Sequence, residues 1–224
     1  MRLNKFIAGC GYCSRREADR LIAARRVLVN GQVARLGTQV SVKDKVEVDH
    51  QLISNKQKKV YLAFFKPVGV ITTTDSKSDN NVMDYVNIPT RIFPVGRLDV
   101  ASSGLLILTN DGELAQKLMR HENNVEKEYE VEVDKKVTLE FLSQMASGVQ
   151  ISYSYKTLPA KVKKLGHNKF SIILVEGKNR QIRKMCEHLG YSVKKLVRTR
   201  IGQVKLLGLK PGEWRELKDF KPQP

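Results

Sequence analysis

The chain has 224 residues, 41% hydrophobic and 28% charged, which is a globular rather than a disordered composition. Its 40 Lys+Arg against 23 Asp+Glu leave a formal net charge of +17, an excess that repels itself unless a polyanion relieves it, so nucleic acid is the expected partner. No run approaches the ~20 apolar residues of a membrane span, and Met1-Arg2-Leu3-Asn4-Lys5 lacks the apolar core of a secretory signal. Three cysteines cannot complete a disulfide set, so a reducing cytoplasm is expected. Cys10 and Cys13 form a Cys-x-x-Cys pair, but Cys186 and the four histidines are scattered, so no metal site is expected. No dimerisation signal stands out, and a monomer is expected.

Residues 1–50 read as a small unit. Leu3, Phe6 and Ile7 place one apolar stripe on a short helix that Gly9 and Gly11 break. Ser14-Arg15-Arg16-Glu17 has the spacing of a capping box and opens a second helix with Ala18, Leu21 and Ile22 on one face. Val27-Leu28-Val29, the turn signal Asn30-Gly31, and then Val33 and Ala34 predict a hairpin; Val40, Val42, Val46 and Val48 predict another strand or two. Ten basic side chains stand against five acidic ones in this segment, with Lys5, Arg15, Arg16, Arg20, Arg25 and Arg26 on or beside the helices. A DNA-reading helix-turn-helix is disfavoured, because the second helix opens on Arg-Arg and offers no Asn or Gln for adenine edges.

Residues 51–58 are polar and read as a linker. Beyond it, from 59 to 224, strands are expected at Val60–Phe65, Leu105–Leu108, Tyr129–Val133 and Phe170–Val175, with helices at Leu114–Leu118 and Gln181–Leu189. Strands dominate without regular βαβ alternation, which predicts an α+β domain on a mixed, mainly antiparallel sheet.

The common nucleotide-binding and hydrolytic signatures are absent: no complete dinucleotide loop, no phosphate-binding Gly-x-x-x-x-Gly-Lys, no His-Glu-x-x-His, no Gly-x-Ser-x-Gly. One carboxylate stands out. Asp99 lies in Pro94-Val95-Gly96-Arg97-Leu98-Asp99-Val100-Ala101-Ser102-Ser103-Gly104, a loop between apolar runs with an arginine two residues away. A nearby cation would keep it ionised and nucleophilic; a turn aspartate bonding its own backbone is the other reading. The second constellation is Glu176-Gly177-Lys178-Asn179-Arg180-Gln181-Ile182-Arg183-Lys184-Met185, where donors gather at the start of a helix. Residues 176–200 carry eight basic side chains against two acidic ones, which a solvated basic helix would also show.

Arg2-Leu3-Asn4-Lys5, Cys13-Ser14-Arg15-Arg16-Glu17-Ala18-Asp19 and Val29-Asn30-Gly31 resemble the S4 RNA-binding domain. Gly96-Arg97-Leu98-Asp99, Lys127-Glu128-Tyr129, Gly177 to Met185, Leu196-Val197-Arg198 and Gly212-Glu213-Trp214-Arg215 resemble the RsuA-type pseudouridine synthases, most closely the RluF-like branch acting on large-subunit ribosomal RNA. Phe65 before Lys66-Pro67 departs from the family's more usual Asn, and no role is assigned to that loop. The resemblance implies isomerisation of a uridine in 23S ribosomal RNA without cofactor, with a transfer RNA left open as a second substrate. It implies Asp99 as the catalytic aspartate, Tyr129 as the tyrosine beside the base and Arg183 as the arginine pairing with Asp99. RNA contacts would come from Asn4, Lys5, Ser14, Arg15, Arg16, Arg20, Arg97, Lys178, Arg180, Lys184 and Arg198. The alternative is a non-catalytic RNA-binding protein of ribosome or stress function, which the joint presence of Asp99, Tyr129 and Arg183 argues against.

Overall fold

The structure is a computed structural model that describes residues 1–54, 57–75, 77–218 and 220. It divides into two compact units: Met1–Val60 with Ile88–Ile92 and Asn110–Gly112, and Tyr61–Asn87 with Phe93–Thr109 and the chain from Glu113.

In the first unit, α1 (Leu3–Gly9) and α2 (Arg15–Ala23) bury the stripes the spacing predicts, Leu3, Phe6 and Ile7 against Ala18, Leu21 and Ile22. Ser14 Oγ caps α2 by accepting from Glu17 N at 3.1 Å, a contact worth about 1 kcal/mol. Only half of the expected box forms: the Glu17 carboxylate instead meets Arg20 Nη1 at 3.0 Å. β1 (Val27–Val29), β2 (Gln32–Val33), β3 (Val46–Val48) and β4 (Gln51–Ile53) form an antiparallel sheet in the order β2-β1-β3-β4. Asn30 and Gly31 have φ of 51° and 81°, the doubly left-handed turn that a tight hairpin requires. The linker expected from residue 51 therefore begins later. Gln51–Ile53 is an edge strand held by main-chain pairing to Val46–Val48, with Gln51 and Leu52 exposed, and such pairing leaves no apolar pattern to read. Residues 55 and 56 of that linker lie outside the described residues.

The second unit contains β5 (Tyr61–Lys66), β6 (Phe93–Val95), β7 (Ser103–Thr109), α3 (Gly112–Met119), β8 (Lys127–Val133), α4 (Leu139–Ser147), β9 (Gln150–Ser152) and β10 (Tyr155–Lys156). β11 (Lys161–Lys164), β12 (Lys169–Leu174), α5 (Gln181–His188), β13 (Val193–Ile201), β14 (Val204–Lys205) and β15 (Trp214–Glu216) follow. The large sheet runs β11-β12-β8-β13-β7-β5-β15, with β6 and β14 added beside β7 and β13. Its pairs are antiparallel except β7 with β13, so the fold is α+β on a mixed, mainly antiparallel sheet, as expected. Val131, Val133, Phe170 and Ile172 of the sheet pack with Phe141, Met145, Ile182 and Met185 of α4 and α5. Ala63, Leu105 and Ile107 pack with Leu114, Ala115 and Leu118 of α3. All seven residues of β7 are buried, so this strand is covered on both faces.

Register places Ile172, Tyr129, Arg198, Gly104 and Lys66 in one row across β12, β8, β13, β7 and β5. Residues directly opposite share a face of the sheet. Within the row Gly104 has φ of +111°, and a Cβ there would fall 2.3 Å from the Arg198 carbonyl oxygen. Only glycine lets β7 and β13 approach this closely.

Candidate active site

Asp99 sits between β6 and β7, after a turn at Gly96 whose φ is 75°. Its neighbours on both sides are fixed from elsewhere. Thr72 Oγ1 donates to Leu98 O at 2.8 Å and accepts from Leu98 N at 3.3 Å. Gly69 N donates to Val100 O at 2.8 Å, and Ser102 N closes the turn on Asp99 O at 3.0 Å. Arg183 Nη2 donates to Ala101 O at 2.8 Å and to Ser102 Oγ at 3.2 Å, while Nη1 reaches Val193 O at 3.3 Å. The Asp99 side chain keeps 34% of its exposure, so a rigid loop presents a reachable carboxylate.

The cation nearest that carboxylate is Arg180, with Nη1 3.9 Å from Asp99 Oδ2. Arg180 occupies the left-handed region at φ 52° as the residue before α5, a conformation that costs a non-glycine residue and marks a constrained position. This differs from the pairing implied for Arg183, whose fork is spent on the carbonyls and hydroxyl that shape the loop. Burial, reinforced by the neighbouring Arg180, holds Arg183 below the usual guanidinium range, while Asp99 pulls the other way.

Lys66 closes β5 with no exposed surface, and its Nζ donates to Pro67 O and Val70 O, both at 2.7 Å. Those bonds fix the turn whose Gly69 holds Val100. Burial draws the Lys66 ammonium down from 10.5 to about 8, and the charge of Asp99 opposes the shift. Tyr129 is 9% exposed and packs in the cluster that holds Leu98 and Ile172, with Arg198 opposite on β13.

Arg97, Lys178 and Arg180 are exposed and Lys184 is half-buried, positions open to a polyanion. Arg198 is not such a position. It is 4% exposed, its Nε donates to Leu105 O at 2.7 Å, and its Nη2 is buried without a partner among the described residues. A strand cation pointing into the sheet interior reads in sequence like one pointing out, which is why Arg198 looked like a surface contact. In the other unit Arg15, Arg16 and Arg20 are exposed along α2 and Lys5 is half-buried. Asn4 Nδ2 donates to Asp19 at 3.0 Å and Ser14 caps α2, so both side chains already serve the fold. Cys10 and Cys13 are half-buried free thiols; burial raises both, Cys10 to about 11, which keeps them protonated. Among the described residues no group of three or more His, Cys, Asp or Glu is placed to hold a metal ion, and no helix is long and apolar enough to cross a membrane.

Residues 60–188 match the RNA pseudouridylate synthase family, and residues 1–58 match the S4 domain. The chain belongs to the pseudouridine synthase family. It is 50% identical over 221 residues to the dual-specificity RNA pseudouridine synthase RluF of Escherichia coli (strain K12), covering 98% of this chain and 76% of that protein. It is 41% identical to the ribosomal large subunit pseudouridine synthase B of Bacillus subtilis (strain 168), covering 96% of this chain and 91% of the relative. A crystal structure of a pseudouridylate synthase superposes with a TM-score of 0.71 at 28% identity, covering 97% of this chain and 96% of the other. This synthase is thus an isomerase preceded by an S4 domain, and the comparisons favour the enzyme over the non-catalytic binding protein.

The synthase brings Asp99, Arg180, Arg183 and Tyr129 into one unit around the Asp99 loop. Lys66, Gly69 and Thr72, which hold that loop from the other side, carried no role in the sequence reading. A signal was available for the first: a lysine ending the apolar run Tyr61-Leu62-Ala63-Phe64-Phe65 and followed by Pro67 and Gly69 has to bury its charge or turn the chain.

Proposed function

We propose that Asp99 is the catalytic carboxylate with which this synthase converts a uridine of structured RNA into pseudouridine. The observation that supports it is one half-exposed carboxylate on a loop locked by main-chain bonds on either side, with Arg180 beside it. The C1′–N1 bond of uridine has to break, the uracil has to turn, and C1′ has to bond to C5, from which the hydrogen leaves as a proton. A stacked base has no room for this, so the nucleotide flips into the enzyme. Asp99 either attacks C1′ or assists removal of the C2′ proton, with the Arg180 guanidinium 3.9 Å from its carboxylate. Tyr129 offers its ring to the uracil, and Arg183 keeps the loop in register.

The relatives' names support large-subunit ribosomal RNA as the substrate and a second RNA beside it, for which we propose a transfer RNA. The N-terminal unit grips RNA backbone through Lys5, Arg15, Arg16 and Arg20, with Arg97, Lys178 and Lys184 contributing from the synthase unit. The enzyme works as a cytoplasmic monomer in this reading.

RNA tritiated at uracil C5 tests the proposal. The protein should release tritium to water in proportion to uridine consumed, with chelator present, and Asp99→Asn should release none while binding the RNA within a few-fold. Free labelled uracil, or undiminished release by Asp99→Asn, would overturn the assignment.

A further inference from the structure

We propose that Glu176 is a positioning residue that holds Arg180 against Asp99. The proposal rests on the reading of Asp99 given above. Glu176 follows β12 and is 3% exposed, yet its carboxylate is fully engaged. Oε1 accepts from Gln181 Nε2 at 2.6 Å and from Leu158 N at 3.0 Å, and Oε2 accepts from the Tyr155 hydroxyl. Gln181 Oε1 in turn accepts from Lys178 N at 3.0 Å, and Lys178 Nζ lies 4.5 Å from the centre of the Tyr155 ring. Each end of the 177–180 loop is therefore tied to one buried acceptor, on one side by the chain itself and on the other through Gln181.

Arg180 is the last residue of that loop and stands in the left-handed region, which a non-glycine residue keeps only where its surroundings over-determine it. The Glu176 bonds are that surrounding. The neighbouring carboxylate pushes the Tyr155 phenol up to about 12, so Tyr155 remains a donor at neutral pH. Without the clamp the loop regains its freedom, and the 3.9 Å approach of Arg180 to Asp99 is lost.

Glu176→Ala should lower kcat by about 10²-fold, the usual effect of a misplaced catalytic neighbour, with KM changed only a few-fold. Glu176→Gln should recover most of kcat, because its amide oxygen still accepts from Gln181 and Leu158 and its amide nitrogen meets Tyr155. The deciding measurement is a cycle with Arg180→Ala. If Glu176 acts through Arg180, adding Glu176→Ala to Arg180→Ala should change kcat by less than about twofold. Fold-losses that multiply would make Glu176 a general structural residue and overturn the proposal. Should Glu176→Ala fail to fold, Gln181→Met, which keeps the side-chain volume, replaces it in the same cycle with the same two outcomes. Asp99→Ala measured in parallel separates the two claims: an active Asp99→Ala sinks the reading of Asp99, whereas an inactive one with multiplying losses sinks only the role of Glu176.

Discussion

Arg183 Nη2 donates to the Ala101 carbonyl at 2.8 Å, two residues beyond Asp99, so the guanidinium braces the loop rather than the carboxylate. Three acceptors, Ala101 O, Ser102 Oγ and Val193 O, use its fork, and a single ammonium has no such geometry. Arg183→Ala should therefore cost about 10²-fold in kcat, Arg183→Lys nearly as much, and Lys184→Ala only a few-fold. Steady-state kinetics on one RNA decides the point. Full recovery in Arg183→Lys would show that charge alone matters there.

Lys66 makes the enzyme's stability depend on pH in a window set by one side chain. Its folded pKa lies near 8 against 10.5 for the ordinary ammonium, so the folded state releases the proton first. Below about 8 both states are protonated and burial of the charge costs its full amount, about 3 kcal/mol. Between about 8 and 10.5 the unfolded state holds the proton that the folded state has lost, and stability rises with pH. Denaturant unfolding of wild type and Lys66→Met from pH 7 to 10.5 should show wild type gaining about 3 kcal/mol relative to the variant. A difference that stays flat with pH would rule the effect out.

Gly104→Ala should destabilise the synthase by more than about 3 kcal/mol, because the added methyl meets the Arg198 backbone and the residue keeps φ of +111°. Gly177→Ala is the matched control, since a Cβ there meets nothing within 4 Å. Its effect on stability should stay within about 0.5 kcal/mol. Chemical denaturation compares the two, and equal effects would contradict the close approach of β7 and β13.

Arg15 and Arg16 open α2 exposed, while Arg20 shares its charge with Glu17. Replacing Arg15 and Arg16 together by alanine should reduce the slope of log K against log salt by up to about 1.8, one phosphate for each. Replacing Arg20 should change it less. A binding series across salt concentration reads both, and an unchanged slope in the double variant would take α2 out of the RNA contact.

Where burial writes itself as a run of apolar residues, the fold was legible. β5, β7, β8 and β12 follow from the runs Val60–Phe65, Leu105–Leu108, Tyr129–Val133 and Phe170–Val175, and α5 from Ile182 and Met185. β13 was not, although it lies in the middle of the sheet. Lys194, Lys195, Arg198 and Arg200 interrupt its apolar positions, and Arg198 is buried through a bond to a main-chain carbonyl that hydrophobicity does not report. The site divides in the same way. Asp99, Arg180 and Arg183 stand in segments whose residue types already mark them. Gly69, Thr72 and Glu176 matter through Val100, Leu98 and Tyr155, partners close in space but distant along the chain, which the local pattern does not show.

The parallel seam between β7 and β13 also sets an order of assembly. Two residue pairs, Val197 with Ser103 and Arg198 with Gly104, join strands about ninety positions apart, a longer separation than in the pairing of β11 with β12 or of β12 with β8. Pairings that close such long loops form late in folding. Asp99 belongs to the β7 side of that seam, and Tyr129, Arg180 and Arg183 belong to the β8–β13 side. Asp99, the proposed catalytic group, and those partners meet only when the seam shuts, so in a refolding experiment turnover should emerge with the slowest phase, after the secondary-structure signal has already returned.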